Sequence, residues 1–258
     1  MKKFISLFIV ISIVGYFSSS AQNLMEESEI VVTLNMEGTS GNNGTAVIYN
    51  QEKEIYYAAF AGNSAFPLEL FDKYGKHLYE VETGFDVRGL WYNPKQKRIE
   101  GNAYSGVGIY YKTLNARGYP DDNAFPILEN VEVPSPNIVG TFNPKKKVIY
   151  YLFDKSIMIL SSKDHSLLKS IELQIPTSSH DINSSCIFYT GVMKMEFALL
   201  DAGNKQLLVY DKKGNYKGAV AIHVSFEIKS IFNASFANGY LFLFDKDNRD
   251  WVGMKVFR

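Results

Sequence analysis

The chain has 258 residues, and its 27 basic and 27 acidic side chains give a formal net charge of zero at pH 7. This balance excludes the bulk electrostatic signature of a nucleic-acid-binding protein, so we expect no nucleic-acid partner. The single cysteine, Cys186, excludes an intrachain disulfide, and the four scattered histidines do not have the spacing of a zinc site.

The N-terminal residues have the pattern of a secretory signal peptide. Two lysines precede an apolar run over residues 4–17, and small residues precede Gln22. An N-terminal membrane anchor is the alternative, but a span needs roughly 20 apolar residues. We therefore expect residues 1–21 to be removed and residues 22–258 to form a single exported domain, periplasmic or extracellular, without a transmembrane span.

After a first predicted strand at residues 29–36, the sequence contains an internal repeat. An aromatic residue followed by a small polar residue ends an apolar run five times. These marks are Tyr49-Asn50, Tyr92-Asn93, Phe142-Asn143, Tyr189-Thr190 and Phe232-Asn233. They are 43, 50, 47 and 43 residues apart, and each is followed by a turn and further short runs rich in Val, Ile, Tyr and Phe. Such runs, bounded by Gly, Asn, Asp and Pro, are typical of β-strands.

Four strands per repeat predict the blade of a β-propeller. The fifth repeat ends after three runs, and residues 29–36 can supply its fourth strand by pairing with residues 251–257. Closure of this kind leaves no sheet edge free to aggregate. We predict an all-β, five-bladed β-propeller with four antiparallel strands per blade and a last blade closed by the N-terminal strand. A sixth, degenerate blade stays open as an alternative.

The stretch 198–218, ALLDAGNKQLLVYDKKGNYKG, resembles the NHL-type propeller repeat. The resemblance rests on a strand-end aspartate, a Gly-Asn turn, an apolar strand and an Asp-x-x-Gly hairpin. The residues that carry it are Asp201, Gly203, Asn204, Tyr210, Asp211 and Gly214. Residues 57–76 match more loosely, with Ala61 in the place of the aspartate. The resemblance implies a propeller, usually a binding scaffold in that family, and it does not transfer a ligand.

Short catalytic and cofactor motifs are absent from the sequence, including the P-loop, G-x-G-x-x-G, H-E-x-x-H and G-x-S-x-G patterns. We therefore predict no catalytic residue, no cofactor and no metal. Residues 245–250, DKDNRD, hint at a calcium loop but lack its glycine and final glutamate, which favours a solvated hairpin. Cys186 lies in an apolar strand, which favours a buried thiol over a nucleophile. Trp91, next to a mark, is expected in the core or lining the central channel.

The predicted turns divide between two faces of the ring. Turns that follow the first and third strands of each repeat have an excess of basic residues, and we call this side the basic face. Its six main basic residues are Lys95, Lys97, Arg98, Lys145, Lys146 and Lys147. The basic face could meet an anionic partner, such as a membrane surface or an acidic polysaccharide, or it could consist of solvated hairpins.

The opposite face carries the candidate ligand site of the sequence analysis. Loops that lead into the first strands converge there around the channel. They bring together Asn43, Asp86, Arg88, Asn137, His180, Asp181 and Glu227. The favoured interpretation is an exported, non-catalytic propeller that binds a small molecule, glycan or protein at the channel mouth. The alternatives are a five-bladed glycoside hydrolase that uses Asp86, Asp181 and Glu227, and a structural envelope component that uses the basic face.

Overall fold

The computed structural model describes residues 22–258, so the predicted signal peptide lies outside the described residues. Within that range the chain forms twenty β-strands and one short 3-10 turn, Tyr104–Gly106, without any α-helix. No helix in this part of the chain is long and apolar enough to cross a membrane. The all-β prediction is confirmed.

Twelve of the strands form three four-stranded antiparallel sheets whose spatial order follows the chain order. One sheet contains β2 (Gly44–Asn50), β3 (Ile55–Phe60), β4 (Pro67–Asp72) and β5 (His77–Glu82). The next contains β6 (Val87–Asn93), β7 (Arg98–Ala103), β8 (Gly108–Thr113) and β9 (Phe125–Glu129). A third contains β10 (Thr141–Asn143), β11 (Val148–Phe153), β12 (Ser156–Ser161) and β13 (Leu167–Glu172).

The other eight strands form one larger sheet. They are β1 (Leu24–Asn35), β14 (Phe188–Tyr189), β15 (Phe197–Asp201), β16 (Gln206–Tyr210), β17 (Tyr216–Ala221), β18 (Ala234–Ala237), β19 (Tyr240–Asp245) and β20 (Asp250–Phe257). Their order is β14-β15-β16-β17-β1-β20-β19-β18. A single parallel pair, Glu27 with Ala221, joins β1 to β17, so the large sheet consists of two four-stranded halves.

The N-terminal strand closes the sheet that contains the C-terminus. β1 runs antiparallel to β20 from the pair Glu29–Lys255 to the pair Asn35–Asp250. Without β1, the outer edge of β20 would present unpaired backbone groups. The predicted pairing between the two ends of the chain is therefore present.

The first strands of the sheets surround a common axis. β2, β6, β10, β14 and β18 contact one another in this cyclic order, and β18 contacts β2 again. Four-stranded sheets arranged around such a ring are consistent with a β-propeller. Large aromatic side chains fill the spaces between the sheets, as the fully buried Tyr56, Tyr57, Tyr151, Tyr210 and Trp251 illustrate.

The fifth mark of the repeat was misplaced. β18 begins after Asn233, and Phe232 and Asn233 both have positive φ, 53° and 55°, which breaks the predicted apolar strand. The backbone of Asn233 instead bonds to Gly44 and Phe244. The true inner strand, Ala-Ser-Phe-Ala, has small residues because it packs close to the axis, so its sequence gives a weak strand signal.

Candidate functional site

A cavity of about 720 Å³ opens on the basic face, where the first strands end; we call it the aromatic pocket. Its lining residues come from all five strands around the axis. They are Ile48, Tyr49, Gln51, Glu52, Leu90, Trp91, Tyr92, Pro94, Thr141, Phe142, Pro144, Tyr189, Phe236, Ala237, Asn238 and Gly239. Six of these sixteen residues are aromatic, and a concave cavity of aromatic side chains with a few polar groups has the usual composition of a small-molecule site.

The polar residue of each of the first four marks caps the turn that forms the rim of the pocket. The side-chain oxygen of Asn50 accepts backbone N–H bonds from residues 52 and 53 at 3.1 and 3.3 Å. Asn143 accepts the equivalent bonds from residues 145 and 146, both at 3.1 Å. Asn93 and Thr190 cap their turns in the same way. Short side chains with an oxygen acceptor favour such turns, which explains why the marks recur.

The aromatic residues of the first four marks form the wall of the pocket. Tyr49, Tyr92, Phe142 and Tyr189, from the first four marks, all line it. Trp91 stacks on Phe142 with ring centroids 5.8 Å apart and is 5% exposed, so it is both core and channel lining, as expected. In the sequence the marks indicated only the fold; their common position at strand ends was the signal that would have found the pocket.

The three tyrosines of the wall are neutral hydrogen-bonding groups near pH 7. Burial raises the pKa of the Tyr49, Tyr92 and Tyr189 phenols, and nearby carboxylates raise it further: Glu54, Glu52 and Glu196, respectively. A phenol that keeps its proton can donate a hydrogen bond to a ligand oxygen. The wall therefore combines flat apolar rings with hydroxyl donors.

Glu52 is the one carboxylate among the residues that line the pocket, all of which belong to the described part of the chain. Its side chain lies 3.4 Å from the Lys97 ammonium and 3.5 Å from that of Lys53. The bond to Lys97 and its charge lower the pKa of Glu52, so the carboxylate is ionised at neutral pH. At the neighbouring turn, the Asn238 amide donates to the Tyr56 hydroxyl at 2.9 Å.

On the opposite face, the structure brings together three of the seven residues of the predicted ligand site. The Arg88 guanidinium is bonded to the Asp86 carboxylate and donates from Nε to Asn137 Oδ1 at 3.1 Å. It lies over the ring of Tyr104 at 4.5 Å and is only 5% exposed. Asp86 also accepts the Gly62 backbone N–H at 2.8 Å. These contacts cross-link several loops; whether the group binds a ligand stays a prediction.

The other four predicted site residues have separate partners. Asn43 accepts a bond from Lys246 at 3.2 Å, and Glu227 is paired with Lys229. The backbone N–H of His180 donates to Asp201, the strand-end aspartate of the repeat, at 3.3 Å. Asp181 has a left-handed backbone with φ 54°, and its backbone carbonyl accepts the Ala202 N–H at 3.2 Å. Asp86, Asp181 and Glu227 are therefore not joined in one hydrogen-bonded group, as far as residues 22–258 are concerned.

Two further predicted features have internal contacts. The Cys186 thiol is buried, donates to Asn183 Oδ1 at 3.2 Å, and has its pKa raised to about 12 by burial. In the 245–250 hairpin, Asp245 accepts bonds from residues 247 and 248 of its own turn. Within residues 22–258, no group of three His, Cys, Asp or Glu side chains is arranged to hold a metal ion.

The six residues of the predicted anionic-partner surface differ in their surroundings. Lys97 is paired with Glu52, and Arg98 donates from Nε to Glu100 at 2.7 Å. The other four lysines have no carboxylate within ion-pair distance among the described residues. They are Lys95, Lys145, Lys146 and Lys147. The lysines of the basic face that lack a neighbouring carboxylate therefore lie in the turns at residues 93–97 and 143–147.

No family model matches the sequence, and no curated protein matches it. Among solved structures, the chain is similar to Myxococcus xanthus glutaminyl cyclase, with a TM-score of 0.59, 9% identity, and coverage of 90% of this chain and 97% of that chain. It is also similar to a Xanthomonas campestris gluconolactonase, with a TM-score of 0.53, 9% identity, and coverage of 84% and 86%.

At this low identity the likeness shows the fold, and these neighbours are β-propellers. The predicted propeller is therefore confirmed, while membership of the NHL-type repeat family stays a prediction. The similarity extends over most of both chains.

The prediction of a non-catalytic binding scaffold is wrong, because the neighbours with this fold are named as enzymes. That prediction rested on the absence of short catalytic motifs. In a propeller, however, a site at the channel mouth takes each side chain from a different sheet. Its residues are therefore distant in sequence, and the absence of a local motif says little about catalysis.

Proposed function

We propose that this chain is a propeller enzyme that opens lactones by attack of water on the carbonyl carbon, with the aromatic pocket as its active site. The observation that carries the proposal is the content of the pocket: one ionised carboxylate, Glu52, among neutral phenol and amide groups and flat aromatic rings. Polyhydroxylated rings stack well on such walls, and their hydroxyl groups find donors and acceptors there.

The number and charge state of the carboxylates favour carbonyl chemistry over glycoside hydrolysis. A glycosidase needs two carboxyl groups roughly 5–9.5 Å apart, one of them protonated at the start of the reaction. The aromatic pocket offers a single carboxylate, and its lysine neighbours keep it ionised. Attack on a carbonyl needs one base for the nucleophile and hydrogen-bond donors for the oxyanion.

The proposed step uses only side chains of this pocket. The Glu52 carboxylate accepts a proton from water as the water oxygen bonds to the lactone carbonyl carbon. The hydroxyls of Tyr49 and Tyr92 and the amide of Gln51 are the candidate donors to the resulting oxyanion. The ring C–O bond then breaks, the leaving oxygen takes the proton, and a hydroxy acid is released.

The two solved neighbours lend support at the level of reaction type. Glutaminyl cyclisation and gluconolactone opening both begin with a nucleophile at a carbonyl carbon. The surroundings of this pocket favour the lactone reaction, because the basic rim attracts a product carboxylate and repels the ammonium group of a peptide N-terminus.

A titration of acid release tests the proposal. We expect the wild-type protein to open sugar δ-lactones faster than buffer does, and Glu52→Gln to lower kcat/KM by about 100-fold. Glu54→Gln is the matched control, because Glu54 belongs to the same turn but pairs with Lys73 at 3.0 Å and does not line the pocket. Equal loss in both variants, or no turnover by the wild type, would overturn the proposal. Turnover of a glutaminyl peptide but not of lactones would contradict the lactone assignment.

We also propose the finer fold and the destination of the chain. Counting the two halves of the large sheet separately gives five blades, and the closed contact ring of five first strands supports this count. We propose that the blades are NHL-type repeats, on the strength of residues 198–218. The lysine-led apolar leader supports export, with a mature chain that begins near Gln22.

A further inference from the structure

A second, smaller cavity adjoins the aromatic pocket on the basic face. It has a volume of about 200 Å³, lies between the β6–β9 and β10–β13 sheets, and is called the basic cleft here. The two cavities share Trp91, Phe142 and Pro144 as a common wall. Lys95, Arg98 and Lys147 line the cleft, and Glu100 is its one acidic lining residue in the described chain.

Arg98 is held in a fixed position that leaves its outer nitrogens free. Its Nε donates to Glu100 Oε1 at 2.7 Å, and its guanidinium lies 4.1 Å from the centroid of the Tyr111 ring. Its two terminal nitrogens make no hydrogen bond to any described residue. A planar guanidinium with two free N–H groups on one edge matches the geometry of a carboxylate or phosphate.

The Glu100 carboxylate is bonded to neighbouring protein groups and does not occupy the space for a ligand in the cleft. It is 5% exposed, and besides Arg98 it accepts bonds from the Trp91 indole at 3.0 Å and the Asn93 amide at 2.9 Å. Its charge is thus used to orient Arg98 and the shared aromatic wall. Because Glu100 holds Arg98 in place before a ligand arrives, less side-chain entropy is lost when an anion binds.

The two lysines supply the remaining positive charge. Lys95 and Lys147 lie in equivalent Asn-capped turns, and neither has a carboxylate within ion-pair distance among residues 22–258. The backbone of Lys147 is left-handed, with φ 55°, and its carbonyl accepts the Ser162 N–H at 3.1 Å. Three cationic groups against one internally bonded carboxylate make the cleft attractive to an anion.

We infer that the basic cleft binds the carboxylate of a sugar acid whose ring stacks in the aromatic pocket. Because Trp91, Phe142 and Pro144 line both cavities, the two cavities are neighbours, and one ligand could extend its ring into the first and its carboxylate into the second. This inference deepens the proposed function and rests on it for the identity of the aromatic pocket as the substrate site. It narrows the substrate class to sugar derivatives that carry an acidic group in addition to the reacting carbonyl.

Isothermal titration at low salt with glucuronate, and with glucose as the neutral probe, tests the inference without turnover. We expect glucuronate to bind at least tenfold more tightly than glucose. The double variant Lys95→Gln/Lys147→Gln should lower the glucuronate affinity about tenfold and leave glucose binding unchanged, because it removes two charge-assisted contacts. The matched control is Lys145→Gln/Lys146→Gln, which makes the same charge change on neighbouring residues that do not line the cleft.

Equal effects of the two double variants would show general attraction to the basic face and overturn the inference, as would equal affinities of the wild type for glucuronate and glucose. Arg98→Lys keeps the charge but removes the planar pair of donors, so it should also weaken glucuronate binding several-fold. Its melting temperature confirms that it is folded. If the protein opens neutral lactones but fails these titrations, the proposed function stands and only the cleft assignment is wrong. If the cleft binds glucuronate tightly but no lactone is opened, the cleft assignment stands and the proposed function is wrong.

Discussion

Glu69 gives the sharpest quantitative prediction, because it is a fully buried carboxyl group next to the seam that closes the ring. Its side chain is 0% exposed, one oxygen accepts the Glu37 backbone N–H at 2.9 Å, and the other has no partner. Burial raises its pKa to about 7 from a model-compound value of 4.5. The carboxyl group should therefore be neutral in the folded protein under mildly acidic conditions.

The magnitude follows from the shift in pKa. A rise from 4.5 to about 7 corresponds to about 3 kcal/mol of unfolding free energy, at about 1.4 kcal/mol per pH unit. Because the folded-state pKa is the higher one, this stability is fully present below about pH 4.5 and is lost as the pH rises through 7. Glu69→Gln keeps the neutral shape and cannot ionise, so the variant should lack this loss.

Urea denaturation of both proteins at pH 5 and pH 8 measures the effect. Between pH 5 and pH 8, we expect the unfolding free energy of the wild type to fall by about 2–3 kcal/mol more than that of Glu69→Gln. Glu82→Gln is the control, because Glu82 is an exposed carboxylate on the same neighbouring strand, opposite Pro67, and its charge is not among those that shift the pKa of Glu69. Parallel pH profiles of wild type and Glu69→Gln would refute the reasoning.

Three further predictions concern stability. Deleting residues 22–36 removes β1 and exposes the edge of β20, so the protein should aggregate or lose most of its resistance to urea; a deletion variant that melts like the wild type would contradict closure by the N-terminal strand. Lys112→Met leaves two backbone carbonyls without the donor that now reaches them at 2.8 and 3.0 Å, so the free energy of unfolding should fall by roughly 2–4 kcal/mol, and an unchanged denaturation midpoint would exclude this role. Gly75→Ala would place a Cβ 2.1 Å from the Thr33 carbonyl at a φ of 88°, whereas Gly38→Ala meets no atom within 4 Å, so thermal melting should show the larger loss for Gly75→Ala, by about 2 kcal/mol or more; equal losses would argue against close packing at the seam.

The repeat in the sequence predicts the ring well, because each mark is dictated by local chemistry. An asparagine such as Asn50 or Asn143 caps the turn next to it, and such bonds depend only on neighbouring residues. The last inner strand escaped prediction because Ala234–Ala237 is selected for small size near the axis and not for strand propensity. Local patterns therefore identify blades but miss a strand whose composition is set by distant packing.

The candidate site was harder to predict, because it depends on which side chains become paired after folding. Arg88 does contact Asp86 and Asn137, as convergence of the loops implied. Glu227, by contrast, pairs with Lys229, two residues away, and so its charge is satisfied locally. The concave site on the basic face was visible in the sequence only as a row of aromatic residues, since volume and depth arise from the ring as a whole.

A crystal structure with bound glucuronate, a sugar acid that keeps its ring, tests most directly whether the aromatic pocket is the ligand site. We expect density for the sugar ring against Tyr49 and Tyr92, close to the Glu52 carboxylate, with the acidic group directed toward Arg98. Density at the Asp86–Arg88–Asn137 group on the opposite face, with the aromatic pocket empty at saturating ligand, would contradict it.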